Sequence, residues 1–185
     1  VSEGDLQVTR PGIYYGEGTS EYVFTGTTQE EFDYPMGGGN VFTHYEGDGG
    51  VPLQSMFRRL LYAYEFADIK ILISGYFTAD SRVHYHRQIR QRVRNVAPFL
   101  EFDSDPYMII IDGELKWIID AYTSSSKFPY SEPMASGNVN YIRNSVKVVI
   151  DAYHGSMDFY IVDPDDPVIQ TYDKIFPDLF QSLEE

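Results

Sequence analysis

Two stretches of sequence decide the fold, Lys116-Trp-Ile-Ile-Asp-Ala-Tyr122 and Lys147-Val-Val-Ile-Asp-Ala-Tyr153. Five of their seven positions are identical at an offset of 31 residues, and each copy lies beside a turn that contains glycine. The mixture of β-branched, aromatic and alternating polar residues is typical of β-strands. We therefore predict that the second half of the chain consists of paired β-hairpins.

Turn signals place these hairpins along the chain. Asp112-Gly113 is a strong signal for a type I′ turn and predicts a hairpin over residues 107–122. His154-Gly155 predicts a second two-residue turn, within a hairpin over residues 145–163. The segment 123–140 between them is rich in Ser, Pro, Gly and Asn, which predicts an exposed loop.

Apolar periodicity predicts three main helices, over about residues 52–67, 81–96 and 166–176. Pro52 suits the first turn of the first helix, and Asp80 or Ser81 would cap the second. Residues 69–76, between these two helices, have the pattern of a strand. The order of these elements predicts an α+β fold with a largely antiparallel sheet.

The composition of the 185 residues, 43% of them apolar, predicts a single soluble domain over residues 1–185, with residues 1–50 as a turn-rich N-terminal layer. The net charge of −14 argues against nucleic-acid binding and against attraction to an anionic membrane surface. No run approaches the ~18 apolar residues that a membrane span needs, which argues against direct membrane insertion by these residues. With no cysteine in the sequence, disulfides are excluded. The first residue is Val1 instead of methionine, and we expect the chain to be an excised piece of a larger protein.

Strand alternation separates each repeat into two faces. Trp117, Ile119 and Ala121 share one face of the first copy. The other face carries the polar positions of the two copies, which are Lys116, Asp120 and Tyr122, and Lys147, Asp151 and Tyr153. If the hairpins are neighbours, these residues form cross-strand ion pairs. The alternative is that Asp120 and Asp151 form a catalytic carboxylate pair, as in a hydrolase.

Tyrosine is abundant, with 16 residues, and predicts a semi-polar surface that binds a partner. Aromatic residues on an exposed sheet face would make the contact, and charged residues would set its register. The candidate binding residues are Lys116, Tyr122, Tyr130, Tyr141, Lys147 and Tyr153. Such a surface requires the four tyrosines to form one contiguous exposed patch.

Acidic turns are the candidates for a metal site. Their carboxylates are the kind of ligand that calcium prefers, and they are Asp103, Asp105, Asp163, Asp165 and Asp166. Neither turn has the spacing of an EF-hand loop. The alternative is that these residues stabilise turns and cap helices, with Asp166 as the N-cap of the last helix. The sequence indicates no other cofactor.

Several motifs occur together in one order, and they carry a resemblance to a known family. They are Asp80-Ser-Arg82, Arg92-Val-Arg-Asn-Val-Ala-Pro-Phe-Leu100, Asp103-Ser-Asp-Pro-Tyr107, Asp112-Gly113, Trp117-Ile-Ile-Asp-Ala-Tyr-Thr-Ser124, Tyr141-Ile-Arg-Asn-Ser-Val-Lys147 and Asp151-Ala-Tyr153. The chain resembles an uncharacterised family of large bacterial multi-pass membrane proteins, in which several N-terminal transmembrane helices precede a large soluble region.

This resemblance implies that the chain belongs to an extracytoplasmic region tethered to the cell membrane. It supplies no activity and no catalytic residue. We therefore expect a non-catalytic binding or scaffolding ectodomain, whose partner is the rest of its own membrane-anchored chain, another protein or a component of the cell envelope. The alternatives are a hydrolase that uses Asp120 and Asp151, and an extracytoplasmic domain stabilised by calcium.

Overall fold

The structure is a computed structural model that describes residues 8–37, 39–135 and 137–183. The chain forms two compact units. One comprises residues 19–87, and the other combines residues 88–183 with residues 8–18 within the described ranges. The segment predicted as an N-terminal layer is thus divided between the two units, and the single domain over residues 1–185 stays a prediction. No helix in the described ranges is both long enough and apolar enough to span a bilayer.

The unit of residues 19–87 combines short strands with helices. The strands are β1 (Val23–Thr25), β2 (Glu31–Met36), β3 (Gly39–Thr43), β4 (Val51–Pro52) and β5 (Arg82–His84), and the helices are α1 (Met56–Glu65) and α2 (Lys70–Ile73). β5 lies between β1 and β4 and pairs antiparallel with both. β2 and β3 form a separate antiparallel pair.

The first predicted helix is shorter than expected, and the strand predicted after it is wrong. α1 begins at Met56 because Pro52 is paired with Arg82 in the sheet and because Ser55 caps the helix. The Ser55 hydroxyl accepts a hydrogen bond from the N–H of Arg58 at 3.2 Å. Within the range 69–76, predicted as a strand, residues 70–73 form helix α2.

The second predicted helix, over residues 81–96, is wrong in its first half. Val83 and His84 are fully buried in β5, which has a strand on each side, and this pairing outweighs the helical periodicity. Ser81 is not a helix cap, since its hydroxyl donates to the carbonyl of Gly26 at 2.9 Å. The helix, α3 (Ile89–Val96), is capped instead by Gln88.

The unit that contains residues 88–183 is built around a six-stranded sheet, counted over the described residues. Its elements after α3 are β6 (Glu101–Phe102), β7 (Tyr107–Ile111), β8 (Glu114–Ser125), β9 (Tyr141–Asp151), β10 (Met157–Ile161), α4 (Pro167–Ile175) and β11 (Phe180–Ser182). The sheet has the order β11-β10-β9-β8-β6, and β7 also pairs with β8. All these pairs are antiparallel except β10 with β11. The predicted α+β class is confirmed.

The face predicted to be apolar forms the core of this sheet. The fully buried residues of β8 and β9 include Ile119, Ala121, Val146, Val148 and Ile150. Trp117 lies on the same face of β8, and its indole N–H donates to the backbone carbonyl of Tyr15 at 3.0 Å. This bond joins residues 8–18 to the sheet, although the two residues are 102 positions apart.

Only the first of the two predicted turns has the expected form. Asp112 and Gly113 have φ values of 53° and 81°, as a type I′ turn requires. The second connection is longer, because β9 ends at Asp151 and β10 begins at Met157. Within the loop between β9 and β10, Gly155 has a φ of +75°, and its backbone lies close against the ring of Tyr15.

We expect Gly155→Ala to lower the free energy of unfolding by about 1–3 kcal/mol. A Cβ at Gly155 would lie 2.4 Å from the nearest ring atom of Tyr15, which is fully buried and cannot move freely. Urea unfolding measures the loss. Gly18→Ala is the matched control in the same unit, because a Cβ there meets no atom within 4 Å. Equal stabilities of the two variants would contradict this account of Gly155.

Candidate functional site

The two copies of the repeat lie side by side as β8 and β9, and their charges pair reciprocally. Lys116 stands opposite Asp151 and Asp120 stands opposite Lys147. Lys116 Nζ donates to Asp151 Oδ2, and Lys147 Nζ donates to Asp120 Oδ1 at 2.5 Å. Because the strands are antiparallel, each lysine meets the aspartate of the other copy. The predicted cross-strand ion pairs are therefore present.

The two ion pairs differ in their exposure to solvent. The side chains of Lys116 and Asp151 are 19% and 7% exposed, whereas those of Lys147 and Asp120 are 39% and 20% exposed. Lys116 also donates to Glu114 Oε2 at 2.9 Å. The sequence repeat has thus placed the same pair of charges in two environments.

The pKa shifts of the more buried pair follow from this geometry. Burial acts to raise the pKa of Asp151, but the bond from Lys116 and the backbone N–H groups of His154 and Tyr153 outweigh it, so the pKa is lowered. Burial acts to lower the pKa of Lys116, and the bonds to Asp151 and Glu114 outweigh it, so that pKa is raised. Both groups are therefore held in their charged forms.

The register keeps the two candidate catalytic carboxylates apart. Asp120 stands opposite Lys147, which is four residues from Asp151 along β9. Four residues of strand span roughly 13 Å. Paired carboxylates in glycoside hydrolases are about 5–9.5 Å apart. Asp120 and Asp151 therefore do not have the spacing that the hydrolase hypothesis requires, and each is already neutralised by a lysine.

Two of the four candidate tyrosines are packed against neighbours. The hydroxyl of Tyr122 lies 3.4 Å from Asp103 Oδ2, and burial followed by that carboxylate raises the pKa of Tyr122. The ring of Tyr153 meets the edge of Tyr14, with centroids 5.2 Å apart, and the guanidinium of Arg10 lies over it at 5.6 Å. Neither ring stands free on the sheet.

Tyr141 lies at the start of β9, and Tyr130 lies in the loop that precedes it. Tyr141 stacks on Phe128 at a centroid distance of 4.1 Å, and Tyr130 is fully exposed on the loop. Tyr141 begins β9 and Tyr153 follows its end, so about ten residues of strand, or roughly 33 Å, separate them. The tyrosines do not form the contiguous patch that the sequence suggested.

Most of the candidate metal ligands are engaged in local contacts. Asp103 Oδ1 accepts the N–H of Asp105 at 3.1 Å, as in an Asx turn. Asp163 forms an ion pair with Arg143 at 2.9 Å. Asp165 is exposed. Across the described ranges, no group of three or more His, Asp or Glu side chains could hold a metal ion.

Asp166 is fully buried and accepts hydrogen bonds from four donors. Oδ2 accepts from the hydroxyls of Thr123 and Ser145, each at 2.5 Å. Oδ1 accepts from the hydroxyl of Tyr141 at 2.5 Å and from the N–H of Val168 at 2.9 Å. All its ordinary acceptor positions are used by the protein, which leaves none for a calcium ion. The predicted N-cap of α4 is confirmed, and the same carboxylate ties α4 to β8 and β9.

Sequence reasoning missed the partners of Asp166, although one signal was available. Thr123 continues the alternation of Trp117, Ile119 and Ala121 and therefore faces the core. A hydroxyl on an apolar face requires a buried acceptor. The acceptor itself lies 43 residues further along the chain and has no local signal beyond its role as a cap.

We expect Asp166→Asn to lower the free energy of unfolding at pH 7 by roughly 2–4 kcal/mol, because an amide presents a donor to groups that are themselves donors. Asp165→Asn is the matched control, since Asp165 is the exposed neighbour, and it should change stability by less than about 0.5 kcal/mol. Urea unfolding measures both variants. A loss of similar size in the two would contradict the role of Asp166.

The stability that Asp166→Asn loses should decrease as the pH falls. Burial acts to raise the pKa of Asp166, but the four hydrogen bonds outweigh it and lower the pKa. The stabilisation is therefore complete above the unfolded pKa of about 3.9 and is lost as the pH falls through the lower folded value. The gap in stability between the wild type and Asp166→Asn should narrow below about pH 4.

The ion pairs allow an internal comparison by double-mutant cycles with Lys→Met and Asp→Asn. We expect a coupling energy of roughly 1–2 kcal/mol for Lys116 with Asp151, and less than about 1 kcal/mol for Lys147 with Asp120. The reason is the lower exposure of the first pair, which reduces screening by water. Urea unfolding of the single and double variants provides both values, and the reverse order would show that burial does not control the coupling.

Comparison with known proteins places the chain in a wider group. Residues 1–185 match the uncharacterised protein family UPF0182. The UPF0182 proteins of Trichodesmium erythraeum and Pelotomaculum thermopropionicum are each 56% identical to the chain over 97% of its length, which corresponds to 22% and 20% of their own lengths. The UPF0182 protein of Alkaliphilus metalliredigens is 52% identical over 100% of the chain and 20% of its own length.

The chain thus spans about a fifth of the length of the curated relatives it matches. No solved structure matches it. The match covers the whole sequence, and the identity to these relatives exceeds one half. The chain therefore belongs to the uncharacterised protein family UPF0182.

Proposed function

We propose that this chain is a non-catalytic binding and scaffolding part of a larger membrane-anchored protein, on the extracytoplasmic side. In this proposal the helix α1 binds another part of the full-length polypeptide. The membrane-anchored, extracytoplasmic location comes from the family resemblance carried by the sequence motifs. The binding role comes from the surface of the unit of residues 19–87.

The single observation that carries the proposal is that α1 exposes its most apolar side. Five large side chains, between 51% and 85% exposed, cover an arc of about 140° on the helix. They are Met56, Phe57, Leu60, Leu61 and Tyr64. We call this set the outer face of α1. Contiguous exposed apolar surface of this kind is typical of sites that bind other proteins or membranes.

The side of α1 that is packed against the unit is more polar than its outer face. Arg59 Nε donates to the carbonyl of Leu53 at 3.1 Å, and Ala63 is buried. The ring of Tyr62 lies 5.6 Å from that of Tyr85, and burial followed by the hydrogen bond with Tyr85 raises the pKa of Tyr62 to about 12. An ordinary surface helix has the opposite arrangement, with its apolar stripe inward.

The rest of the full-length chain is the occupant that these facts favour. About four fifths of the length of the relatives lies outside the matched region, which supplies ample surface to cover five apolar side chains. The net charge of −14 opposes binding to an anionic lipid surface or to nucleic acid. The charged groups of the two repeat copies bind each other, in the pairs Lys116–Asp151 and Lys147–Asp120.

The test uses single cysteines in the full-length protein, because residues 1–185 contain none. Any cysteine elsewhere in the polypeptide is first replaced by serine. Leu60→Cys reports on the outer face of α1, and Glu65→Cys is its matched control on another, exposed side of the same helix. Intact cells are treated with a membrane-impermeant maleimide, and labelling is compared with that of the denatured protein.

We expect Glu65→Cys to be labelled in intact cells and Leu60→Cys to be labelled at least tenfold more slowly until the protein is denatured. Labelling of Glu65→Cys only after cell lysis would contradict the extracytoplasmic location. Equal rates for the two cysteines would contradict docking. If detergent extraction alone exposed Leu60→Cys, lipid and not protein would be the occupant, which would overturn the proposed partner.

A further inference from the structure

A cavity of about 580 Å³ lies within the unit of residues 19–87, where β1 and α2 meet the segments that follow them. Its apolar wall is formed by Val23, Phe24, Ile71, Ile73, Tyr76 and Phe77. The size and the apolar lining are those of sites that bind small organic molecules, which range over about 300–1,000 Å³. We propose that this cavity binds a small amphiphile that has an apolar body and a cationic head group.

Hydrogen bonds fix the two segments that form the walls of the cavity relative to each other. The hydroxyl of Thr78 donates to the carbonyl of Gly26 at 2.7 Å, and the N–H of Thr28 donates to the carbonyl of Tyr76 at 2.9 Å. These bonds tie the chain after β1 to the chain after α2. Ile71 is almost fully buried and forms part of the floor. The cavity is therefore preformed, which reduces the entropic cost of binding.

Aromatic packing fixes the apolar side chains themselves. The rings of Phe24 and Phe77 meet edge to face, with centroids 5.0 Å apart, and the guanidinium of Arg59 lies over Phe77 at 4.9 Å. An alkyl or aromatic body placed against these rings would remove apolar surface from water on both partners. The apolar part of the ligand class follows from this wall.

The charged residues that line the cavity set the charge of the head group that it prefers. Among the described residues that line it, three carry carboxylates, Glu30, Glu31 and Asp68, and one carries an ammonium group, Lys70. The exposed ring of Tyr76 lines the same cavity and adds a face that attracts cations. Even when the guanidinium of Arg59 over Phe77 is counted, three carboxylates face two cations, so a positive head group is favoured over a negative one.

Two of these carboxylates have fixed positions. Asp68 Oδ1 accepts the N–H of Lys70 at 2.9 Å, and Oδ2 accepts the hydroxyl of Tyr22 at 3.1 Å. The two oxygens of Glu31 accept backbone N–H groups at 3.0 and 2.9 Å. The fold itself thus fixes negative charge in the lining of the cavity. This site is distinct from the outer face of α1 and does not depend on whether that face is covered.

The experiment titrates the 185-residue chain with octyltrimethylammonium and, separately, with octyl sulfate, both below their micelle-forming concentrations. Methyl NMR signals of Val23, Ile71 and Ile73 report on the cavity, and those of Leu60 and Leu61 report on the outer face of α1. We expect saturable shifts at the cavity methyls with the cation and at least several-fold weaker binding of the anion. Replacing the octyl group of the cationic probe by hexyl should weaken binding by up to roughly fourfold for each lost methylene.

Charge variants in the cavity lining distinguish binding at this site from nonspecific binding of a surfactant. Glu30→Gln should weaken binding of octyltrimethylammonium by roughly two- to fivefold at low salt, and Lys70→Gln should strengthen it by a similar factor. Both side chains are exposed, so neither change affects the core. Glu65→Gln, an exposed acid outside the cavity, is the matched control and should leave the affinity unchanged.

Three results would overturn the proposal. The first is the absence of shifts at Ile71 and Val23 while the signals of Leu60 and Leu61 move. The second is equal affinity for the cationic and the anionic probe. The third is the same effect of Glu30→Gln and Glu65→Gln on binding of the cation.

Discussion

The antiparallel pairing of β8 with β9 is the constraint on which the rest of the larger unit, which contains residues 88–183, depends. These long strands place Ile119, Val148 and Ile150 on one buried face and the lysines and aspartates of the repeat on the other. A shift of one residue would exchange the two faces and bury four charges in the core. The reciprocal ion pairs and the apolar core therefore favour the same register, so that neither has to determine it alone.

Asp166 connects the sheet to the last helix, α4. Its carboxylate is an N-cap, which is a local role, and also the acceptor for hydroxyl groups on β8 and β9, which is a long-range role. A buried charge is stable only when its acceptor positions are filled, and here four donors fill them. Thr123 and Ser145 would in turn be unsatisfied without it. These bonds therefore fix the start of α4 against β8 and β9.

Sequence reasoning predicted the features that depend on local chemistry and missed those that depend on distant pairing. The Asp112-Gly113 turn, the alternation of β8 and the cap at Asp166 are local, and all three are present. Residues 82–84 form a strand because β1 and β4 lie on either side of it, and no pattern near these residues indicates that. The ion pairs follow from the repeat, whereas the four donors of Asp166 come together only in the fold.

The two surfaces on which the proposals rest lie in the unit of residues 19–87, away from the repeated heptad that is most conspicuous in the sequence. The periodicity of Met56, Phe57, Leu60, Leu61 and Tyr64 predicts a helix, but a stripe of this kind has the same pattern whether it faces a core or a partner. The repeated lysines and aspartates of the larger unit are conspicuous in the sequence, yet they form ion pairs with each other within the sheet. Apolar groups left uncovered are unfavourable in water, and this is why the proposed binding role rests on the outer face of α1.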